Sequence, residues 1–287
     1  MGAPADAPVV VALGSSDAAL EVVRLAAAEA ADHDRALLLL HAFNWAATPE
    51  AVSVSGPRAD AEELIERAGA VAGEVRPALA VSGEIVEGAP VVTLIRRSES
   101  AFLVAVGDGG MSHSRSAITA DTPAVQLAAR AACPVLVVRP EPPPQGPVLV
   151  GVDGSASAAK ALEFAFDCAA RRSARLLAVR VTEPARQGAG DDPADFDPEA
   201  ARAELAEAVA RHGRRHRSVP VECRAVVGEP GPILVELSRC AQLTVVAARG
   251  DEPLRGMLGA VSQSLLYHSP APVIVVRGFS TTAPAGT

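Results

Sequence analysis

No apolar run in this chain of 287 residues approaches the ~20 consecutive residues that a helix needs to cross a bilayer. That excludes a membrane-spanning helix as an organising element. The first stretch, MGAPADAPVVVALG, has no basic region ahead of its short apolar run, so no signal peptide is read there. Gly2 is followed at position 6 by Asp6, where myristoylation requires serine or threonine. A cytoplasmic protein with no membrane association is expected. Cysteine is scarce as well. Cys133, Cys168, Cys223 and Cys240 include no CxxC pair, and the six histidines show no ligand spacing with them. Reduced structural thiols are expected, and no metal site. A basic excess is also missing: the net charge is −8, with ten arginines against eighteen acids in residues 1–143 and sixteen of each sign in residues 144–287. No positive field covers the chain, which argues against nucleic acid as a partner. The one dense basic stretch, RHGRRHR from Arg211 to Arg217, ends an acid-rich helical segment, where cations complement a helix C-terminus.

What is present is apolar and repeated. Apolar residues make up 49% of the chain, and the length suffices for two ordinary domains with a core in each. PVVVALGSS from Pro8 matches PVLVGVDGS from Pro147. VEGAPVVTLI from Val86 matches VVGEPGPILVEL from Val226. LVAVGDGG from Leu103 matches LTVVAARG from Leu243, and CPVLVVRP from Cys133 matches APVIVVRG from Ala271. The offset stays between 138 and 140 residues throughout. Two copies of one domain are expected, residues 1–143 and 144–287, joined near the proline run RPEPPPQGP, a short stiff linker.

Within each copy, short Val- and Leu-rich runs alternate with longer Ala-, Leu- and Glu-rich runs. The short runs are apolar throughout, as in strands buried on both faces of a parallel sheet. In the second copy, strands are predicted near 147–152, 174–181, 221–227, 243–247 and 272–276, and helices near 155–172, 198–215, 230–241 and 260–268. This order predicts an α/β fold: two doubly wound domains, each an open five-stranded, mainly parallel sheet flanked by helices. Ligands of such sheets bind at the carboxyl ends of the strands, near the topological switch point. Asp153 falls there, at the end of the first strand of the second copy. Gly154 permits a tight turn, and Ser155 can cap the next helix. Asp153 either faces a ligand or satisfies backbone donors in its own turn, and the residues alone leave both readings open. Trp45 reads as core or interface packing, His113 as a surface-loop residue, and segments 47–58 and 183–197 as mobile loops beside the crevice.

The blocks VLVGVDGSASAAKALEFA, VVGEP, LTVVAARG and GAVSQSLLYHSPAPVIVVR, in that order, resemble a universal stress protein domain, and the first half resembles it too. The resemblance implies a Rossmann-like sheet and a tandem protein. It also implies a stress-response role that runs, in many family members, through ATP with or without Mg2+, and no evident catalysis. The nucleotide pattern of binding members is Gly, two residues, Gly, nine residues, Gly, then Ser or Thr. Its glycines let backbone N–H groups approach phosphates at a helix N-terminus. By resemblance, the candidate set in the second copy is Asp153, Gly154, Ser155, Val181, Gly250, Gly259 and Ser262. In the first copy it is Gly107, Gly110 and Thr122.

Neither copy keeps the whole pattern. In the second, Ala247 stands at the first glycine, Gly259 comes after eight residues, Ala260 replaces the hydroxyl, and Ser262 offers a substitute two residues on. Arg249 and Arg255 could supply charge to a phosphate. In the first, Gly14 replaces the aspartate, Asp121 replaces the last glycine, and Asp108 adds negative charge that would repel a polyphosphate. Adenine nucleotide in the second copy is therefore the expected function. The alternative is a nucleotide-free scaffold that dimerises or docks a protein partner. The resemblance implies pairing through the last strand, near Val135–Val138 or Val273–Val276, in a homodimer or between the two copies.

Overall fold

The computed structural model describes residues 4, 6–14, 18–43, 55–109, 111, 122–183, 198–249 and 256–277. In chain order, the first half runs β1 (Val9–Ala12), α1 (Ala18–Asp32), β2 (Leu37–Phe43), α2 (Ser55–Val75), β3 (Val81–Glu87), α3 (Pro90–Arg97), β4 (Leu103–Gly107), α4 (Pro123–Arg130) and β5 (Val135–Val138). The second half repeats it as β6 (Val148–Gly151), α5 (Ala156–Arg171), β7 (Leu176–Thr182), α6 (Pro198–Gly213), β8 (Val221–Val227), α7 (Pro230–Ser238), β9 (Leu243–Ala247), α8 (Ala260–His268) and β10 (Val273–Val276). The elements fall where the hydrophobic pattern of the second copy puts them, to within three residues at each end.

The strands form one ten-stranded sheet in the order β3-β2-β1-β4-β5-β10-β9-β6-β7-β8. Each half is a parallel five-stranded unit whose strand order reverses next to its first strand, between β1 and β4 and between β6 and β9. The halves join where β5 pairs antiparallel with β10, Val273 opposite Val137 and Val275 opposite Val135. These two strands, VLVV and VIVV, are buried throughout. Had they stayed apart, each half would carry an apolar, uncharged edge with unpaired backbone groups. Pairing satisfies both rows of donors and acceptors and merges the two parallel sheets. Repetition extends to single bonds: Leu13 N–H donates to Leu40 O and Val152 N–H to Val179 O, each at 2.9 Å.

Helices cover both faces. On one, α1, α2, α5 and α6 bury Val23, Ala26, Leu64, Leu162, Phe166 and Leu205 against β-strand residues of both halves. On the other, α3, α4, α7 and α8 bury Leu94, Leu127, Leu234 and Leu265. The linker is also packed. A Cβ built on Gly146 would fall 2.0 Å from the Cys240 carbonyl oxygen, so no other residue fits there without moving backbone. No helix among the described residues is long and apolar enough to cross a membrane.

Candidate functional site

The switch point of the first half opens into a cavity of about 460 Å³. Its floor comes from the ends of β1, β2, β4 and β5 and its walls from the first turns of α1, α3 and α4. Most of the lining is apolar, with Gly14, His41, Gly107, Asp108, Gly109 and Arg139 as its distinctive members. The size lies within the range of about 300–1,000 Å³ usual for small-molecule sites, and the place is where open α/β sheets hold ligands.

At one end of this cavity, Gly14 occupies the place equivalent to Asp153. A Cβ built on Gly14 meets nothing within 4 Å, so the missing carboxylate leaves open space and not a filled gap. His41 lines the same cavity, and its Nδ1 lies 3.0 Å from the Leu13 carbonyl oxygen. A carbonyl only accepts, so Nδ1 carries the proton and Nε2 of the neutral ring is left as an acceptor. At the other end, Gly109 takes a φ of +64°, which favours glycine, and a Cβ there would sit 3.5 Å from Thr122 Cγ2. Thr122 is the N-cap of α4, followed by Pro123 at the first helical position. Both ends of the glycine loop therefore meet at a helix N-terminus.

Asp108 and Arg139 are buried at the cavity, 5% and 3% exposed, with Arg139 Nη1 3.5 Å from Asp108 Oδ2. The repulsion expected from Asp108 is thus offset by a paired guanidinium. Burial pulls the Arg139 guanidinium below its ordinary value, and Asp108 opposes that shift. Arg139 Nη2 donates to the carbonyls of Leu265 at 2.9 Å and Leu266 at 2.8 Å, across the seam on α8. Its Nε and Nη1 are buried without a hydrogen bond. Arg277, its counterpart in the repeat, reaches back to the Ala129 carbonyl on α4. Each half therefore pins the helix that opens beside the other half's glycine loop.

The second half places its candidates differently. Asp153 is exposed at the end of β6, and its Oδ1 accepts the Ser155 N–H at 2.9 Å. Gly154 turns with φ +87°, and Ser155 Oγ accepts the Ala158 N–H at 3.0 Å as the N-cap of α5. The capping reading accounts for one oxygen of Asp153 and for Ser155. Val181, on β7, packs at the position that Ala42 holds in the first half, where Ala42 lines the cavity. Gly259 N–H donates to the Ala248 carbonyl at 2.8 Å. Ser262, 2% exposed, donates to the Ala247 carbonyl at 2.6 Å. Ser262 has one proton and Gly259 one amide, so neither is presented to an incoming phosphate. Gly110, Gly250, Arg255, Asp121, His113 and Trp45 lie outside the described residues, as do residues 47–54 and 184–197 of the expected loops.

Sequence reasoning missed His41, Gly109 and Arg139. For Arg139 a signal was present: an arginine directly after an apolar strand, repeated as Arg277. For His41 there was none, because its role rests on the Leu13 carbonyl 28 residues away.

Comparison with known proteins agrees with this architecture. The family model described as "Universal stress protein family" matches the chain twice, over residues 7–139 and 146–277. A universal stress protein of Mycobacterium tuberculosis is 37% identical over 207 residues, covering 69% of this chain and 70% of that protein. One of Mycolicibacterium smegmatis is 34% identical over 289 residues, covering 94% and 96%. Among solved structures, a universal stress protein from Archaeoglobus fulgidus superposes with a TM-score of 0.66 at 20% identity, covering 95% of this chain and 97% of that one. Two matched copies, a repeated strand order and full-length relatives lead to one conclusion: the chain belongs to the universal stress protein family, as a tandem member.

Proposed function

We propose that this protein is an adenine-nucleotide-binding regulator of the stress response, acting through binding and not through catalysis, and that its first half holds the nucleotide. The observation that carries this reading is the cavity of about 460 Å³ at the first switch point, lined by Gly107 and Gly109 and by the first turn of α4. A phosphate would meet the backbone N–H groups of that glycine loop and of the helix N-terminus, which suit anions. His41 Nε2 would accept from the adenosine end, in place of the carboxylate that Gly14 lacks. The apolar walls suit a base. Mg2+ would enter with ATP as its phosphate counter-ion.

A second site at Asp153 has one observation in its favour: the carboxylate is exposed at the other switch point with one oxygen not engaged by Ser155. Calorimetric titration of magnesium–ATP into the intact chain, Gly107→Val and Asp153→Ala separates the readings. A valine at 107 projects beside Val22, whose Cγ2 is already 3.4 Å from a Cβ built there, and narrows the cavity. Heat lost in Gly107→Val and kept in Asp153→Ala supports the first-half site. The reverse pattern moves the nucleotide to the second half. No heat from the intact chain overturns nucleotide binding and leaves the scaffold reading, in which function runs through a docked protein partner or a homodimer.

A further inference from the structure

The last turn of α1 and the C-terminal part of α5 meet at the seam between the halves, beside the core layer they share. Glu29 lies in that turn, and His33, four residues on and just past its end, donates its N–H to the Glu29 carbonyl at 3.0 Å. Cys168 comes from α5. All three are buried: Glu29 and Cys168 are 1% exposed and His33 5%. His33 Nδ1 lies 3.1 Å from Asp167 Oδ2. A carboxylate oxygen accepts, so the proton on Nδ1 is donated to Asp167. In the neutral ring this leaves Nε2 with a lone pair. Nε2 lies 3.4 Å from Glu29 Oε2 and 4.0 Å from Cys168 Sγ. Arg172 pairs with Glu29 Oε1, whereas Oε2 makes no hydrogen bond.

Three lone-pair atoms thus converge within 4.8 Å of one another in a buried place, an arrangement that calls for a positive charge at its centre. A proton on Nε2 could serve Glu29 but gives the sulfur no role. A tetrahedral zinc ion, with N at about 2.0–2.1 Å, O at about 2.0–2.2 Å and S at about 2.3 Å, sets its ligands about 3.3–3.7 Å apart. The observed separations need only small side-chain adjustments to reach that. Asp167, on the other nitrogen of His33, is placed as the outer carboxylate that fixes the tautomer of a metal-bound histidine.

We propose that Glu29 Oε2, His33 Nε2 and Cys168 Sγ form a site for a zinc-like divalent cation that staples the two halves of the chain together. On binding, the Cys168 thiol loses its proton to solvent. The thiolate and the Glu29 and Asp167 carboxylates then carry three negative charges against three positive ones, two on the ion and one on Arg172. Water completes the tetrahedron. The half-exposed rim formed by Asp167 and Arg171 gives the ion a way in.

Cobalt(II) reports on this site directly. The full chain is stripped with chelator and titrated with Co2+, and in parallel purified from cells grown with added cobalt. About one equivalent should bind, with a thiolate-to-cobalt charge-transfer band and the strong visible bands of tetrahedral cobalt, and Zn2+ should displace it. Cys168→Ser should abolish the charge-transfer band, and Cys223→Ser and Cys240→Ser should keep it. Asp167→Asn should keep the band but weaken binding about 10- to 100-fold, as loss of an outer carboxylate does. Should Cys168→Ser fail to fold, X-ray absorption on the zinc-loaded intact chain decides. One sulfur in the first shell supports the site, and a shell of nitrogen and oxygen alone overturns it. A folded intact chain with no thiolate band by either loading route, or a band that survives in Cys168→Ser, also overturns it.

Discussion

Replacing Arg139 by methionine tests how the two halves hold together. The side chain is 3% exposed, faces Asp108 at 3.5 Å and donates to two α8 carbonyls at 2.8 and 2.9 Å. Methionine keeps most of the volume and removes the charge and every donor. Breaking a buried ion pair from one side typically costs about 3–5 kcal/mol, because the remaining charge stays buried without its counter-ion. The two carbonyls end a helix and gain partial relief from their second lone pairs, so their loss falls within that figure and is not added to it. At about 2–4 °C per kcal/mol for a chain near this size, the melting temperature should fall by roughly 6–20 °C. Urea denaturation followed by far-UV circular dichroism measures the free energy, and differential scanning calorimetry the melting temperature. Asp108→Asn combined with Arg139→Met should restore part of the loss, since the buried carboxylate charge is then removed together with its counter-ion. The cycle should return a coupling of about 0.5–3 kcal/mol. A loss below about 1 kcal/mol for Arg139→Met, with the double variant simply additive, would refute the view that this pair is buried and structural.

Further outcomes follow from the same geometry. Gly14→Asp places a carboxylate in open space at the adenosine end of the cavity without a positive φ to oppose it, and should tighten ATP binding about tenfold by calorimetry, equivalent to one charge-assisted hydrogen bond of about 1.4 kcal/mol. Weaker or unchanged binding would place the nucleotide elsewhere. Ser155→Ala removes the N-cap of α5 and should cost about 1 kcal/mol in urea denaturation, while Ser155→Gly should cost only a few tenths. In the native chain, Cys240 is exposed and Cys223 half-buried, whereas Cys133 and Cys168 are buried. Burial pushes the Cys133 thiol up to about 12, so it stays protonated and unreactive toward iodoacetamide from pH 7 to pH 9, whereas the exposed Cys240 is open to the reagent. Mass spectrometry should find the two buried thiols alkylated only after denaturant is added.

Much of this protein could be read along the chain, because strands and helices announce themselves locally. Runs such as VLVV and LTVVA have no polar face to show water, and a fixed offset of 138–140 residues between such runs declares a duplicated domain. Gly154 before Ser155 reads as a turn and a cap from the residues alone, and the structure has both. What the chain could not show is which distant group takes each donor. The retained Asp153 favours the second half for a ligand, but the residues alone do not reveal that Gly259 and Ser262 bond to the carbonyls of Ala248 and Ala247. Nor does it reveal that Asp108, a repelling charge on paper, lies against Arg139.

The sequence by itself determined the two copies, the order of their strands and the places of their turns, since each follows from periodicity and composition within a few residues. Only the tertiary structure decided the rest. It paired β5 with β10, because an uncharged apolar edge accepts any strand and only chain geometry chooses which. It brought Arg139 to carbonyls 126 and 127 residues away. It set Cys168 beside a histidine 135 residues distant in the chain, because the seam between two joined sheets is where their helices must pack.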